Sequence, residues 1–225
     1  MTDIRVGGRT EAEEVIAAKV TGYLTDGGDR WSYPAYDSYP GSPGAEIGPA
    51  DLLAPVLLNV RMKNVGTYYA LESKLKELNN RLAAFPDKSL RDATGDDLKP
   101  LVHLIEILDS PSIPGSRLTM LAKIVHRKRP ALFPLYDSHV WKCYVGGEGF
   151  PLPVNNKRLW GEFAAGWLPA VQKDLRDQWD FWENLASLAK ETPVTPLRVL
   201  DIAAWFMGGP GTPDATIDSI ADESA

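Results

Sequence analysis

The chain reads as a mainly α, two-lobed helical bundle, and three observations predict this. Apolar residues recur at helical spacing in one segment after another, clear alternating strands are absent, and two loops rich in Gly and Pro flank a central helical region. A chain of 225 residues with 44% hydrophobic content can bury a substantial core. Residues 1–207 are expected to form one helical domain of two lobes. Residues 208–225, Gly/Pro-rich and then acidic, are expected to form a flexible tail.

The elements follow in order. "TEAEEVIAAKVTGYL" predicts the first helix, with Thr10 as N-cap and Glu13 three residues on as its capping-box partner. "TDGGDRWSYPAYDSYPGSPGAEIG" breaks all periodicity and predicts a long loop carrying Trp31, Tyr33, Tyr36 and Tyr39, the kind of loop that is functional or mobile. Helices resume at "PADLLAPVLLNV", where Pro49 suits a first turn, and at "TYYALESKLKELNNRLAAF". In "SLRDATGDDLKPLVHLIEILDS", Leu101, Leu104, Ile105 and Leu108 share one face. "GGEGFPLPVNN" is a second loop, "KRLWGEFAAGWLPAVQKDLRDQWDFWENLASLAKE" one or two amphipathic helices, and "TPLRVLDIAAWFM" a last apolar helix. No repeat is visible at solenoid periods.

Composition narrows the function classes. One cysteine, Cys143, excludes an internal disulfide and any cysteine-held iron–sulfur cluster. His103, His126 and His139 are far apart in sequence, so no zinc site, and no cofactor, is expected. No apolar run is long enough to span a membrane, and the first residues resemble neither a signal peptide nor a presequence, so a cytoplasmic location is expected. The net charge of −6 argues against a nucleic-acid partner until its distribution is read. Residues 113–146 hold six cations (Arg117, Lys123, Arg127, Lys128, Arg129, Lys142) against Asp137, a local +5 that leaves −11 for the rest. A basic island on an acidic chain points to phosphate, although a solvated helix end gives the same pattern.

That island has internal order. Ile113-Pro114-Gly115-Ser116 is a tight turn, and Leu118, Leu121, Ala122 and Val125 then form a buried stripe on a helix that Pro130 ends. Unpaired amides at such a turn, with a helix dipole behind them, suit a phosphate. "ALFPLY" buries the exit, and Asp137 opens the next helix at "DSHVWKCY".

With Ile-Pro-Gly at 113–115 and Asp-Ser-His-Val at 137–140, the region 101–144 resembles the helix–hairpin–helix DNA glycosylases related to endonuclease III, at close to that family's spacing from Pro-Gly to the Asp. "DLLAPVLLNVRMKNVGTYYALE" is similar to the family's early helix, and "RKRP.L.P.YD" is similar to a divergent bacterial branch beside the classical enzymes. The resemblance implies a glycosylase-like bundle with Asp137 as catalytic carboxylate. It implies that Gly115, Ser116, Arg117, Thr119 and Lys123 meet the DNA backbone, and that double-stranded DNA with a modified or damaged base is the partner. Two departures are informative: Arg117 replaces the second Gly of the hairpin, and Thr119 aligns where strand-cleaving members carry a Schiff-base lysine, which implies no lyase activity.

The implied chemistry is hydrolysis of an N-glycosidic bond, whose transition state places positive charge on the sugar that a carboxylate stabilises. A flipped base requires a pocket or a wedge, for which Trp31, Asn59, Lys63, Tyr68 and Tyr69 are candidates. Structural roles stand beside each of these. Asp137 is a good N-cap, His139 suits packing, and Tyr68 and Tyr69 suit a core or lobe interface. Three functions are consistent with the pattern: a monofunctional glycosylase in repair or in defence against modified foreign DNA, a non-catalytic DNA- or protein-binding adaptor, and an enzyme acting on free nucleosides or RNA.

Overall fold

The computed structural model describes residues 2–26, 31–62, 64–110 and 118–209. The expected phosphate turn with Gly115, Ser116 and Arg117, the candidate Lys63, and residues 210–225 of the expected tail lie outside the described residues. The described chain is mainly helical, as periodicity predicts. No helix among the described residues is long and apolar enough to cross a membrane.

The amino end departs from the expectation. Asp3–Val6 (β1) and Arg9–Ala12 (β2) form an antiparallel hairpin, Val6 pairing with Arg9 across Gly7-Gly8. Thr10 therefore pairs with Arg5 and caps nothing; helix α1 begins at Glu13 and runs to Thr25. The physical reason is the two-glycine turn, which suits a two-residue hairpin, and "DIRV" alternates exposed with buried residues. Gly7 has φ +60°, and a Cβ there would lie 2.0 Å from the Cys143 carbonyl oxygen, so only glycine fits.

"PADLLAPVLL" (Pro49–Leu58) is a 3-10 helix, with Pro55 inside it removing a backbone donor. Helices α2 (Val65–Glu72) and α3 (Leu75–Leu82) are separated at Ser73, whose hydroxyl donates to the Ala70 carbonyl at 2.7 Å. Helix α4 (Gly95–Ile105) has Thr94 as N-cap in a capping box with Asp97, and ends in a 3-10 turn, Glu106–Asp109. Next come α5 (Leu118–His126), α6 (Ser138–Tyr144), and a two-residue parallel pair, β3 (Val145–Gly146) with β4 (Leu152–Pro153). The long helical segment is two helices, α7 (Trp160–Asp177) and α8 (Trp179–Ala186). Asp109 caps α7 from a distance, accepting from the Trp160 and Gly161 amides at 2.6 and 3.0 Å. Helix α9 (Pro196–Met207) is the last among the described residues, with Thr195 as its cap.

Packing sets the site. Helix α9 lies among α1, α6 and α8, while α4 packs on α7 and α5 on the 3-10 helix. Helices α5 and α9 are buried nearly all round, which marks them as central elements. Any polar side chain on them must find a partner inside the protein or border a cavity.

Candidate functional site

Asp137 is where the buried "LFPLY" segment meets α6. Its Oδ1 accepts the His139 and Val140 amides, each at 3.0 Å, so the carboxylate does cap the helix. The second oxygen, Oδ2, lies 3.7 Å from the Lys123 ammonium. Asp137 keeps 24% of its side-chain exposure, and with Lys123 it lines a cavity of about 120 Å³.

Tyr23 of α1, Trp31 of the long loop and Trp205 of α9 form aromatic walls of this cavity. Trp31 stands edge-on to Trp205 at 6.3 Å between ring centroids and is tilted against Tyr23 at 5.4 Å. Asn59 and Ser32 add polar edges, and Arg198 and Asp201 of α9 complete the charged wall. Asn59 ends the 3-10 helix in the left-handed region, φ 60°.

Arg198 is fully engaged within the protein. Its Nε donates to Asp37 Oδ1 at 2.9 Å, its Nη2 to Asp37 Oδ2 at 3.3 Å and to the Tyr23 hydroxyl at 3.2 Å, and its Nη1 to Asp201. Burial pushes the Asp201 carboxyl up to about 6, with the nearby Asp137 charge adding to this, while Arg198 and Lys123 pull it down. His126, also buried, is pushed down to about 4 by desolvation, and its Nδ1 lies 2.7 Å from the Phe133 carbonyl oxygen.

Among the described residues of the basic island, Lys123, Arg127 and Lys128 face inward. Only 3% exposed, Lys123, expected to meet the DNA backbone, is a wall of the cavity. Arg127 donates to the carbonyls of Tyr36, Asp37 and Tyr39, and Lys128 pairs with Asp51 at 2.9 Å and donates to the Ser42 carbonyl at 2.6 Å. These cations hold the long loop down. Tyr33 and Tyr36 in that loop are buried, Tyr36 donating to the Lys123 carbonyl at 2.7 Å. The reason is local: Lys123 lies on α5, which is buried nearly all round, and Arg127 and Lys128 follow directly after it, where the loop carbonyls lie over them.

Of the candidate pocket residues, Trp31 and Asn59 line the cavity with Asp137; Tyr68 and Tyr69 do not. Tyr68 donates to Glu72, and Tyr69 is 60% exposed on α2. Thr119 is half-buried on α5. His139 packs against Trp205, ring centroids 5.3 Å apart. Sequence reasoning missed Tyr23, Asp37, Arg198, Asp201 and Trp205. One signal was available: Arg198 and Asp201 are a charged i, i+3 pair inside an otherwise apolar helix, where charge is rare unless paired.

Residues 16–208 fit the model of a family described as "Family of unknown function (DUF6308)". No curated protein and no solved structure matches the chain.

Proposed function

The chain belongs to the DUF6308 family, and we propose that it is a monofunctional DNA N-glycosylase that hydrolyses the bond between deoxyribose and a flipped, altered base in duplex DNA. The observation that carries the reading is the position of Asp137. One carboxylate oxygen is held by two helix amides, the other lies 3.7 Å from the Lys123 ammonium, and the residue lines an aromatic-walled cavity. The resemblance of residues 113–140 to helix–hairpin–helix glycosylases supports the same reading and implies two lobes, with Ile113-Pro114-Gly115-Ser116 expected as the phosphate grip.

In this mechanism the base enters the cavity against the wall made by Trp31, Tyr23 and Trp205, and contact with those rings compensates for lost stacking. Heterolysis moves the electron pair of the C1′–N bond onto the base and leaves an oxocarbenium-like sugar. Asp137 stabilises that cation by roughly 4 kcal/mol at about 4 Å and an effective dielectric of about 20, or about three orders of magnitude in rate. Water then adds to C1′ and gives its proton to Asp137. The products are an abasic site and the free base, formed in repair or in defence against modified foreign DNA.

A second reading, a non-catalytic DNA- or protein-binding adaptor, is favoured by one observation: Asp137 makes a complete N-cap whatever else it does. The deciding experiment incubates the protein with duplexes carrying a panel of altered bases and develops abasic sites with alkali. The glycosylase reading expects cleavage at one class of base; no cleavage at any of them leaves the adaptor.

A further inference from the structure

A lysine as deeply buried as Lys123 is rare unless it is paired, because an ammonium removed from water loses far more solvation than packing returns. Other buried cations of this protein have close partners: Arg198 bonds to two carboxylates and a phenol, and Lys128 to Asp51 and Ser42. Lys123 differs. Its ammonium lies 3.7 Å from Asp137 Oδ2, beyond hydrogen-bonding distance, and among the described residues it donates no hydrogen bond. It is 3% exposed, and it lines the cavity. The site therefore holds, on the cavity wall, a lysine side chain that donates no hydrogen bond among the described residues.

On the glycosidase reading, on which this inference rests, the charges match the reaction. Breaking the C1′–N bond creates positive charge on the sugar and negative charge on the leaving base, within a few ångströms of each other. A carboxylate and an ammonium 3.7 Å apart present the complementary dipole. We propose that Lys123 is a catalytic residue that hydrogen-bonds the departing base, and that the substrate is a single-ring base with a carbonyl beside its glycosidic nitrogen. The carbonyl is specified because a group this close to Asp137 must sit next to C1′, where the oxygen at C2 of a pyrimidine collects the leaving electron pair. The single ring follows from that carbonyl, which flanks the glycosidic nitrogen in pyrimidines, and such a ring fits a cavity of about 120 Å³. The electron pair of the C1′–N bond passes into the N1–C2–O2 system, and Lys123 donates to O2. Water supplies hydroxide to C1′ and a proton to Asp137, and the released base anion takes up a proton from solvent.

The test is single-turnover excision from duplexes carrying uracil, 5-fluorouracil, 5-hydroxymethyluracil or thymine opposite guanine, whose N1 acidities differ, alongside duplexes with hypoxanthine and alkylated purines. Wild type is expected to excise the pyrimidines with a shallow dependence of rate on N1 acidity. Lys123→Met should steepen that dependence, losing about 100-fold or more on poor leaving groups and little on 5-fluorouracil. Lys123→Arg, which keeps a cationic donor, should restore most of the shallow slope and guards against a folding defect in the methionine variant. An equal loss on every base with an unchanged slope overturns the role given to Lys123. Excision of purines without pyrimidines overturns the substrate class and leaves the glycosylase reading standing. A wild type that excises nothing ends both.

Discussion

Arg198 of α9 and Asp37 of the long loop are joined across 161 residues, Nε to Oδ1 at 2.9 Å and Nη2 to Oδ2 at 3.3 Å, with both side chains more than nine-tenths buried. This pair sets the wall of the cavity, because the guanidinium also holds Asp201 and Tyr23. Removing one partner leaves the other charge buried and unpaired. Arg198→Met is expected to cost about 3–5 kcal/mol of folding free energy in urea denaturation, and Asp37→Asn a substantial part of that. A loss under about 1 kcal/mol for Arg198→Met would mean that the loop is not held through this contact.

Asp137→Asn keeps the capping oxygen and removes the charge. The variant should stay folded and still bind duplex DNA, because Asn caps a helix about as well as Asp, but its denaturant midpoint should fall, because the buried Lys123 ammonium loses the carboxylate 3.7 Å away. Base excision should fall by roughly two to four orders of magnitude. Excision that survives undiminished would remove Asp137 from the chemistry.

Arg127 and Lys128 are occupied internally, so replacing them should change stability more than DNA binding. Arg127→Met leaves three loop carbonyls without their donor and is expected to cost about 1–3 kcal/mol. The slope of log K for DNA against log salt should stay at the wild-type value. A slope that flattens by about 1 per cation removed would show that these side chains contact phosphate.

Acidity acts on buried groups with opposite signs. His126, pushed down to about 4 by burial, contributes stability that is present above its unfolded value near 6.5 and lost as pH falls through 4. Asp174 is raised to about 6, chiefly by burial, so its contribution is full below its unfolded value near 3.9 and lost as pH rises through 6. Stability measured from pH 4 to 6.5 should therefore rise less steeply with pH in His126→Gln than in wild type, and more steeply in Asp174→Asn. The same slope in all three would show that neither group titrates differently on folding.

Much of this architecture is local and was legible. Helices α4, α7, α8 and α9 follow from apolar spacing, and Asp137 at the start of α6 from its type and the "LFPLY" run before it. The β1–β2 hairpin was missed because four-residue strands give too few alternations to outweigh a helical pattern beginning at Glu13. The 3-10 helix at Pro49–Leu58 was read as an ordinary helix because its apolar pattern does not reveal hydrogen-bond register.

The sequence by itself determined the helical class, the position of most helices, and a carboxylate at a helix start after a buried connection, since each depends on residues within a few turns of one another. Only the tertiary structure decided which way the basic island faces and what surrounds Asp137. Lys123 and Arg127 read as surface cations until α5 is seen enclosed on all sides, with the loop carbonyls lying over Arg127. The cavity joins residues from Tyr23 to Trp205, brought together by packing of α1, α5, α9 and the loop. Charge and hydropathy along a chain specify what each residue costs to bury. Which residues are buried together depends on contacts between segments far apart in the chain, and no local pattern encodes those.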